Sequence, residues 1–96
     1  MKHLISLVSL ISVLVSTSAF AGREEYDSCI LEYMKGTKHD IAANLIKRAC
    51  SENYENPRST TDRRRAYNNC LLENLVGVES LQAVTEIKSA CDRKYL

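Results

Sequence analysis

The chain repeats itself at an offset of 41 residues, and this duplication restricts the fold more than any other feature of the sequence. Residues 26–54 align with residues 67–95 without a gap, and 11 of the 29 aligned positions are identical. The identical residues include both cysteines of each segment, a glycine between them and a tyrosine at each end. A repeat of this length indicates one supersecondary unit used twice. We call residues 26–54 the first copy and residues 67–96 the second copy.

The spacing of apolar residues predicts two helices in each copy. Over residues 26–34 they recur at i, i+3, i+4, i+7 and i+8, the stripe of an amphipathic helix, and a second stripe covers residues 42–50. Gly36 and Gly77 follow the first predicted helix of each copy, at the position where helices commonly end in a left-handed glycine. We therefore predict an all-α fold of four short helices, arranged as two tandem disulfide-stapled antiparallel helical hairpins.

A polar linker, residues 51–61, joins the two copies. It contains Pro57, which prevents a continuous helix across it. Its length allows the hairpins either to pack together in one small domain, residues 22–96, or to stand as separate units. Side chains suited to capping the helices that begin after each break are Thr37 or Asp40, Asp62 and Ser80.

Four cysteines allow three disulfide pairings. The spacing between Cys29 and Cys50 is 21 residues, and the spacing between Cys70 and Cys91 is the same. Because an antiparallel hairpin brings its two ends together, each copy is expected to close its own bridge. Each loop should contribute about 3 kcal/mol on the chain-entropy account. The spacings lack the close ligand pairs of a structural zinc site, so we expect no metal.

Other residues shared by the copies lie at fixed offsets from the cysteines. Each copy has a glutamate three residues after its first cysteine and a lysine three residues before its second, and we expect each such pair to form a salt bridge between the helices. A catalytic acid–base pair is the alternative interpretation. The two pairs are Glu32 with Lys47 and Glu73 with Lys88. Tyrosines outside each bridge are expected to cover the disulfides, or to contact a partner. They are Tyr26, Tyr54, Tyr67 and Tyr95.

Residues 1–21 have the features of a secretory signal peptide. A short positive start precedes an apolar run of about a dozen residues, which is shorter than the roughly 20 needed to span a bilayer. The run ends at Ala19-Phe20-Ala21, an A-x-A cleavage signature. The pattern is most typical of a bacterial signal, which implies a periplasmic or secreted protein, and a eukaryotic secreted protein is the alternative. After cleavage we expect no stable membrane span.

The charge of the mature chain argues against nucleic acid as a partner. Removing Lys2 with the leader leaves 12 Lys and Arg against 12 Asp and Glu, so the mature chain is formally neutral. Nucleic-acid binding proteins instead carry a basic excess that neutralises phosphates. No cofactor motif, nucleophile–base pair or metal-ligand spacing is present, so we predict neither catalysis nor a cofactor.

The clearest difference between the copies is a run of arginines just before the second. Arg63, Arg64 and Arg65 precede the second copy, whereas Arg23-Glu24-Glu25 precedes the first. Positive charge near a helix N-terminus opposes the helix dipole, which suggests a use for it. We take Arg63, Arg64, Arg65, Tyr67 and Tyr95 as candidate partner-binding residues, for a protein with an acidic surface. The alternatives are an anionic component of the cell envelope, the acidic first copy of a neighbouring molecule, or a solvated linker edge with no binding role.

These features favour a small exported protein-binding module such as an inhibitor, an immunity-type protein or an envelope adaptor. A secreted effector or membrane-active toxin is the alternative, although the helices lack the strongly cationic face of such peptides.

The first prediction concerns processing. We expect cleavage after Ala21, so that the exported protein begins at Gly22, because small residues at both ends of the A-x-A signature are needed there. Intact-mass measurement of protein recovered from periplasm or medium should give the mass of residues 22–96. Ala19→Arg should prevent this processing. A mass corresponding to all 96 residues in the exported wild-type protein would contradict the prediction.

Overall fold

Four α-helices form in the order that the duplication predicts. A computed structural model describes residues 18–96, with side chains from residue 22, so that all but the last four residues of the predicted leader lie outside the described part. The helices are α1 (Ser18–Tyr33), α2 (Asp40–Cys50), α3 (Asp62–Leu75) and α4 (Leu81–Tyr95). Helix α1 crosses the predicted cleavage position. Residues 18–96 contain no β-strand, which confirms the predicted all-α class.

Each copy closes its own disulfide, as its cysteine spacing predicts. Cys29 is bonded to Cys50 and Cys70 to Cys91, with Cα–Cα distances of 5.8 and 5.9 Å. The bridges therefore tie α1 to α2 and α3 to α4 at equivalent positions. Both copies are confirmed as disulfide-linked helical hairpins.

The turn of each hairpin depends on its glycine. Gly36 and Gly77 have φ values of 73° and 72°, a left-handed conformation that glycine adopts without steric cost. The two turns lie side by side, because a Cβ built on Gly36 would stand 3.4 Å from the Cα of Gly77. His39 donates from Nε2 to the main-chain oxygen of Glu79 across this junction. These contacts place both turns at one end of the molecule, which we call the turn end.

One of the predicted helix caps is confirmed and the others are wrong. Ser80 caps α4, because its hydroxyl accepts a hydrogen bond from the Ala83 amide at 3.1 Å. Helix α3 is capped by Thr61 instead of Asp62, and α2 follows His39, whose side chain makes no capping bond. Neither Thr37 nor Asp40 caps α2. Asp40 and Asp62 instead occupy the first turns of their helices, where a negative charge favours the dipole.

The linker between the copies is folded. Helix α2 continues into a π-helical turn, Ser51–Glu55, and a 3₁₀ turn follows at Pro57–Ser59. Pro57 occupies the first position of the 3₁₀ turn, where its missing N–H costs nothing, so it does end the preceding helical segment. Asn53 and Thr60 are buried, at 6% and 9% exposure. The linker is therefore part of the folded domain and lies at the end opposite the turns, which we call the linker end.

The two hairpins pack together around one apolar core. Helices α2 and α3 are central and each contacts the other three helices, whereas α1 and α4 share no close contact. Small side chains let the central helices approach, since Ala42 and Ala49 are fully buried. The second copy contributes six buried side chains to this core: Tyr67, Leu71, Leu72, Leu75, Val84 and Cys91. The described residues include no helix with the length and hydropathy needed to cross a membrane.

Two isoleucines of α2 provide a matched test of this core. Ile46 has no exposed surface, whereas Ile41 is 51% exposed on the same helix. Ile46→Ala should lower the free energy of unfolding by about 2–5 kcal/mol, because it leaves a cavity between the copies. Ile41→Ala should change it by less than about 1 kcal/mol. Urea unfolding of the oxidised protein measures both, and equal effects of the two substitutions would contradict the shared core.

Candidate functional site

The three consecutive arginines point in three directions, as residues about 100° apart on a helix must. Arg63 is exposed. Arg64 turns back to the linker and donates from Nε to Glu52 Oε1 at 2.9 Å. Arg65 donates to two main-chain oxygens of the linker, at 3.3 and 3.1 Å. Two of the three candidate arginines thus fasten the linker to α3, and Arg63 alone keeps a free, exposed side chain.

A buried polar network joins the linker to α3. Its centre is Asn68, which is 1% exposed and donates to Asn53 Oδ1 at 2.9 Å and to Glu52 Oε1 at 3.0 Å. Asn53 in turn donates to Asn69 Oδ1 at 3.0 Å. We call Glu52, Asn53, Arg64 and Asn68 the linker network. Because these groups are hydrogen-bonded, their burial avoids the penalty of unpaired polar atoms.

The electrostatics of Glu52 reflect this network. Partial burial would by itself raise the pKa of the Glu52 carboxyl. Hydrogen bonds from Arg64 and Asn68, with the positive charges of Arg64 and Arg48, outweigh that effect and hold the pKa of Glu52 below its ordinary value. The charged form of Glu52 is therefore the one that the fold stabilises.

Tyr67 packs inside the protein. Its side chain is 3% exposed, and the guanidinium carbon of Arg64 lies 4.8 Å from the centre of its ring. Burial, followed by the neighbouring Asp92 carboxylate, raises the pKa of the Tyr67 hydroxyl. The ring of Tyr67 therefore packs in the core, and little of its surface remains for contact with a partner.

The other tyrosines of the repeat are partly buried. Tyr26, Tyr54 and Tyr95 pack against the core cluster. Tyr95 also has the Lys94 ammonium 5.6 Å from its ring centre. The packing interpretation therefore describes all four tyrosines, and Tyr95 is the candidate that keeps a partly exposed ring at the linker end.

The predicted salt bridges between the helices of each hairpin are wrong. Among the described residues, Lys88 pairs with Asp92 on its own helix at 3.1 Å, and Glu73 forms no ion pair. Glu32 and Lys47 are both exposed and also unpaired in the described part. The reason is geometric. Three residues away from its cysteine, each side chain points about 60° to one side of the cysteine direction. Both helices are right-handed, so the two side chains turn in the same rotational sense. Because the helices face each other, the two side chains then lie on opposite sides of the contact.

Positive side chains gather at the linker end in a cleft between α2, α3 and α4. The cleft has a volume of about 480 Å³. Its cationic lining consists of Arg48, Arg64, Lys88 and Arg93. The remaining lining consists of Tyr67, Asp92 and Leu96. We call this site the basic cleft.

The pairing of charges within the basic cleft is incomplete. Lys88 is bonded to Asp92, and this bond, aided by the Tyr67 hydroxyl, holds the pKa of Asp92 below its ordinary value. Arg48 and Arg93 are exposed and form no salt bridge among the described residues. Two guanidinium groups therefore remain open to an anionic ligand.

Only some of the residues that line the basic cleft could be predicted from the sequence. Arg64 and Tyr67 were predicted as binding residues, whereas Arg63 and Tyr95 lie at the same end but do not line the cleft. Arg48 and Arg93 were missed. Both occur in the last turns of their helices, where basic residues are common for dipole reasons, so the sequence alone gave no sign that they converge.

A second cleft, of about 610 Å³, lies between the start of α1 and the linker. Its charged lining is one cation, Arg23, and two carboxylates, Glu25 and Glu55. It therefore offers no excess of positive charge. In the part of the chain that the structure describes, no three His, Cys, Asp or Glu side chains cluster in a way that could hold a metal ion.

The linker network generates a pH-dependent prediction. Glu52→Gln should lower the free energy of unfolding near pH 7 by about 1 kcal/mol, because it removes a charged acceptor. Since the pKa of Glu52 is depressed in the folded state, its contribution is present above about pH 4.5 and is lost as the pH falls through the lower folded value. The difference between wild type and variant should therefore shrink below about pH 4.5.

Urea unfolding at pH values from about 7 to 3 measures this difference. Glu86→Gln is the matched control, because Glu86 is exposed and lies outside the network. A constant difference between wild type and Glu52→Gln over the whole pH range would contradict the role assigned to Glu52.

Comparison with known proteins places the chain in a family. Neither a search of curated proteins nor a search of solved structures finds a match. A family model described as "Four-cysteine protein VF_A0006-like" matches residues 7–95, which include both copies and all four cysteines. The match spans nearly the whole chain, and the two disulfides of the structure account for the four cysteines of the description. The chain belongs to the four-cysteine VF_A0006-like protein family.

Proposed function

We propose that this four-cysteine protein is an exported module, periplasmic or secreted, that binds another protein and has no catalytic activity of its own. The observation that carries the proposal is the uneven charge of the exposed surface. Arg48 and Arg93, which form no salt bridge within residues 22–96, line the basic cleft, and Arg63 is exposed at the same end. The mature chain as a whole is formally neutral, so this concentration of charge is local.

Exposed acidic side chains are concentrated at the start of α1. Glu24, Glu25 and Asp27 are exposed on α1, and α1 makes no close contact with α4. A neutral protein with separated charged surfaces has no long-range attraction to polyanions, but it can orient a partner of complementary charge. This property suits selective binding to a protein.

The scaffold supports binding because it is already held in shape. Two disulfides and the linker network restrict the chain before a partner arrives. Pre-organisation reduces the entropy lost on association, so a small surface can give useful affinity. Most of the polar groups inside the protein are used to hold this shape.

The proposed compartment follows from the cysteines and the leader-like start. Disulfides persist in the periplasm and outside cells, and are rare in the reducing cytosol. A chain this small also gains much of its stability from such bonds. Residues 1–21 supply an export pattern that agrees with this chemistry.

Partner binding can be tested with the oxidised mature protein, residues 22–96, immobilised and exposed to an envelope or secreted-protein extract of the source cells. We expect saturable capture of a protein partner that weakens as the salt concentration rises, because charge contributes to recognition. The matched control is the same chain after reduction and alkylation, which removes both disulfides and should abolish capture. Finding no saturable partner for the oxidised protein would contradict the proposal.

A further inference from the structure

We infer that the basic cleft binds an acidic segment of a protein partner, with an Asp or Glu carboxylate of that segment held by Arg48 and Arg93. This inference rests on the proposed function and assigns it a site and a ligand chemistry. Both guanidinium groups are exposed, line the same cleft and lack an ion-pair partner among the described residues. Arginine presents a planar fork of donors that fits a carboxylate with two hydrogen bonds.

The positive charge of the cleft exceeds its own negative charge. Four cationic side chains face one carboxylate, Asp92, which already accepts from Lys88 at 3.1 Å. Arg64 is partly neutralised from behind by Glu52. Arg48 interacts with the Glu52 charge only at a distance, without a salt bridge, and Arg93 has no ion-pair partner among residues 22–96. We assign ligand contact to these two residues.

Comparison of the two copies shows that the repeat does not require a basic residue at the position of Arg48 or of Arg93. At the repeat offset of 41 residues, Arg93 corresponds to Glu52, and Arg48 corresponds to Ser89 in the second copy. The position of Arg93 therefore holds an acidic residue in the first copy, and the position of Arg48 holds a neutral residue in the second copy. Compensation of the helix dipole explains a cation in a last turn, but it does not explain why cations from two helices converge on one cleft.

The cleft exists only because the two hairpins pack together. Arg48 comes from α2 in the first copy, whereas Arg93 comes from α4 in the second. Arg64, on α3, lines the same cleft, and its guanidinium carbon lies 4.8 Å from the centre of the Tyr67 ring. The site is therefore a product of the shared core and not of either hairpin alone.

The lining favours a peptide over a phosphate group or a membrane surface. The volume of about 480 Å³ suits one or two side chains of a partner segment. The carboxylate of Asp92 repels a doubly charged phosphate more strongly than it repels a singly charged carboxylate side chain. Leu96 adds an exposed apolar rim, and the formal neutrality of residues 22–96 gives no long-range attraction to an anionic lipid surface.

The test measures binding of a fluorescent acetylated hexaglutamate peptide to the oxidised mature protein at low salt. Hexaglutamine is the uncharged control peptide, and inorganic phosphate and phosphatidylglycerol vesicles are the rival ligands. We expect hexaglutamate to bind and hexaglutamine not to bind. Arg93→Glu and Arg48→Glu should each weaken hexaglutamate binding by about tenfold or more, the effect of losing a charged hydrogen bond.

Arg63→Glu is the matched control variant. It makes the same change in net charge at the same end, but Arg63 does not line the cleft. We expect it to weaken hexaglutamate binding by less than about threefold, because it changes only the long-range electrostatic attraction between protein and peptide. Equal loss for Arg63→Glu and Arg93→Glu would overturn the inference, as would tighter binding of phosphate or of the vesicles than of hexaglutamate.

The cleft and the proposed function can fail separately. If the captured partner binds Arg93→Glu and Arg48→Glu as tightly as wild type, and hexaglutamate does not displace it, protein binding stands and the cleft assignment is wrong. If hexaglutamate binds in the cleft as predicted but no saturable protein partner is found, the site stands and the proposed function is wrong. Displacement of the partner by hexaglutamate, with weakened capture by Arg93→Glu, supports both.

Discussion

The structure depends first on the disulfide that closes each copy. Each bridge joins the two helices of a hairpin at an equivalent position, 21 residues apart in the chain. Closing such a loop should contribute about 3 kcal/mol, a large share of the stability available to a domain of this size. The disulfide joins the two helices near one end of each hairpin, and the glycine forms the turn at the other end. Together they fix the register in which the two helices pack. The apolar stripes then face a common core.

A second constraint makes one domain out of the two hairpins. The linker folds back on α3 through Asn53, Asn68 and Arg64, and these contacts fix how the second copy meets the first. None of these interactions has a counterpart in the first copy, where the positions equivalent to Asn68 and Asn69 are the exposed Asp27 and Ser28. Duplication therefore supplied the hairpins, and divergence at a few positions joined them. The basic cleft arises at the same junction.

The features that could be predicted from the sequence are those that repeat. Helix number, the cysteine pairing and the left-handed turns at Gly36 and Gly77 each appear twice, so every inference had an internal check. The errors came from features that depend on side-chain direction. The predicted Glu32–Lys47 salt bridge relied on the two residues lying at the same height along the hairpin axis. Height does not determine the direction in which each side chain points. Thr61 rather than Asp62 caps α3 because a cap needs extended backbone, and the choice between neighbours depends on how the linker enters.

The basic cleft could be predicted only in part for a related reason. Arg64 attracted attention because an arginine run near a helix N-terminus is unusual, whereas Arg48 and Arg93 occupy ordinary positions. Their convergence depends on how α2 and α4 pack, and that arrangement requires the two hairpins to form one unit. The basic cleft and the linker network therefore both depend on a shared core between the two copies.

Amide hydrogen exchange of oxidised residues 22–96, followed residue by residue under native conditions, tests that core most directly. We predict that the slowest amides of α2 and α3 exchange with the same free energy, equal to that of global unfolding, because the helices open together. If the α3 and α4 amides exchanged through an opening that left α1 and α2 protected, the hairpins would be independent units and the account would be wrong.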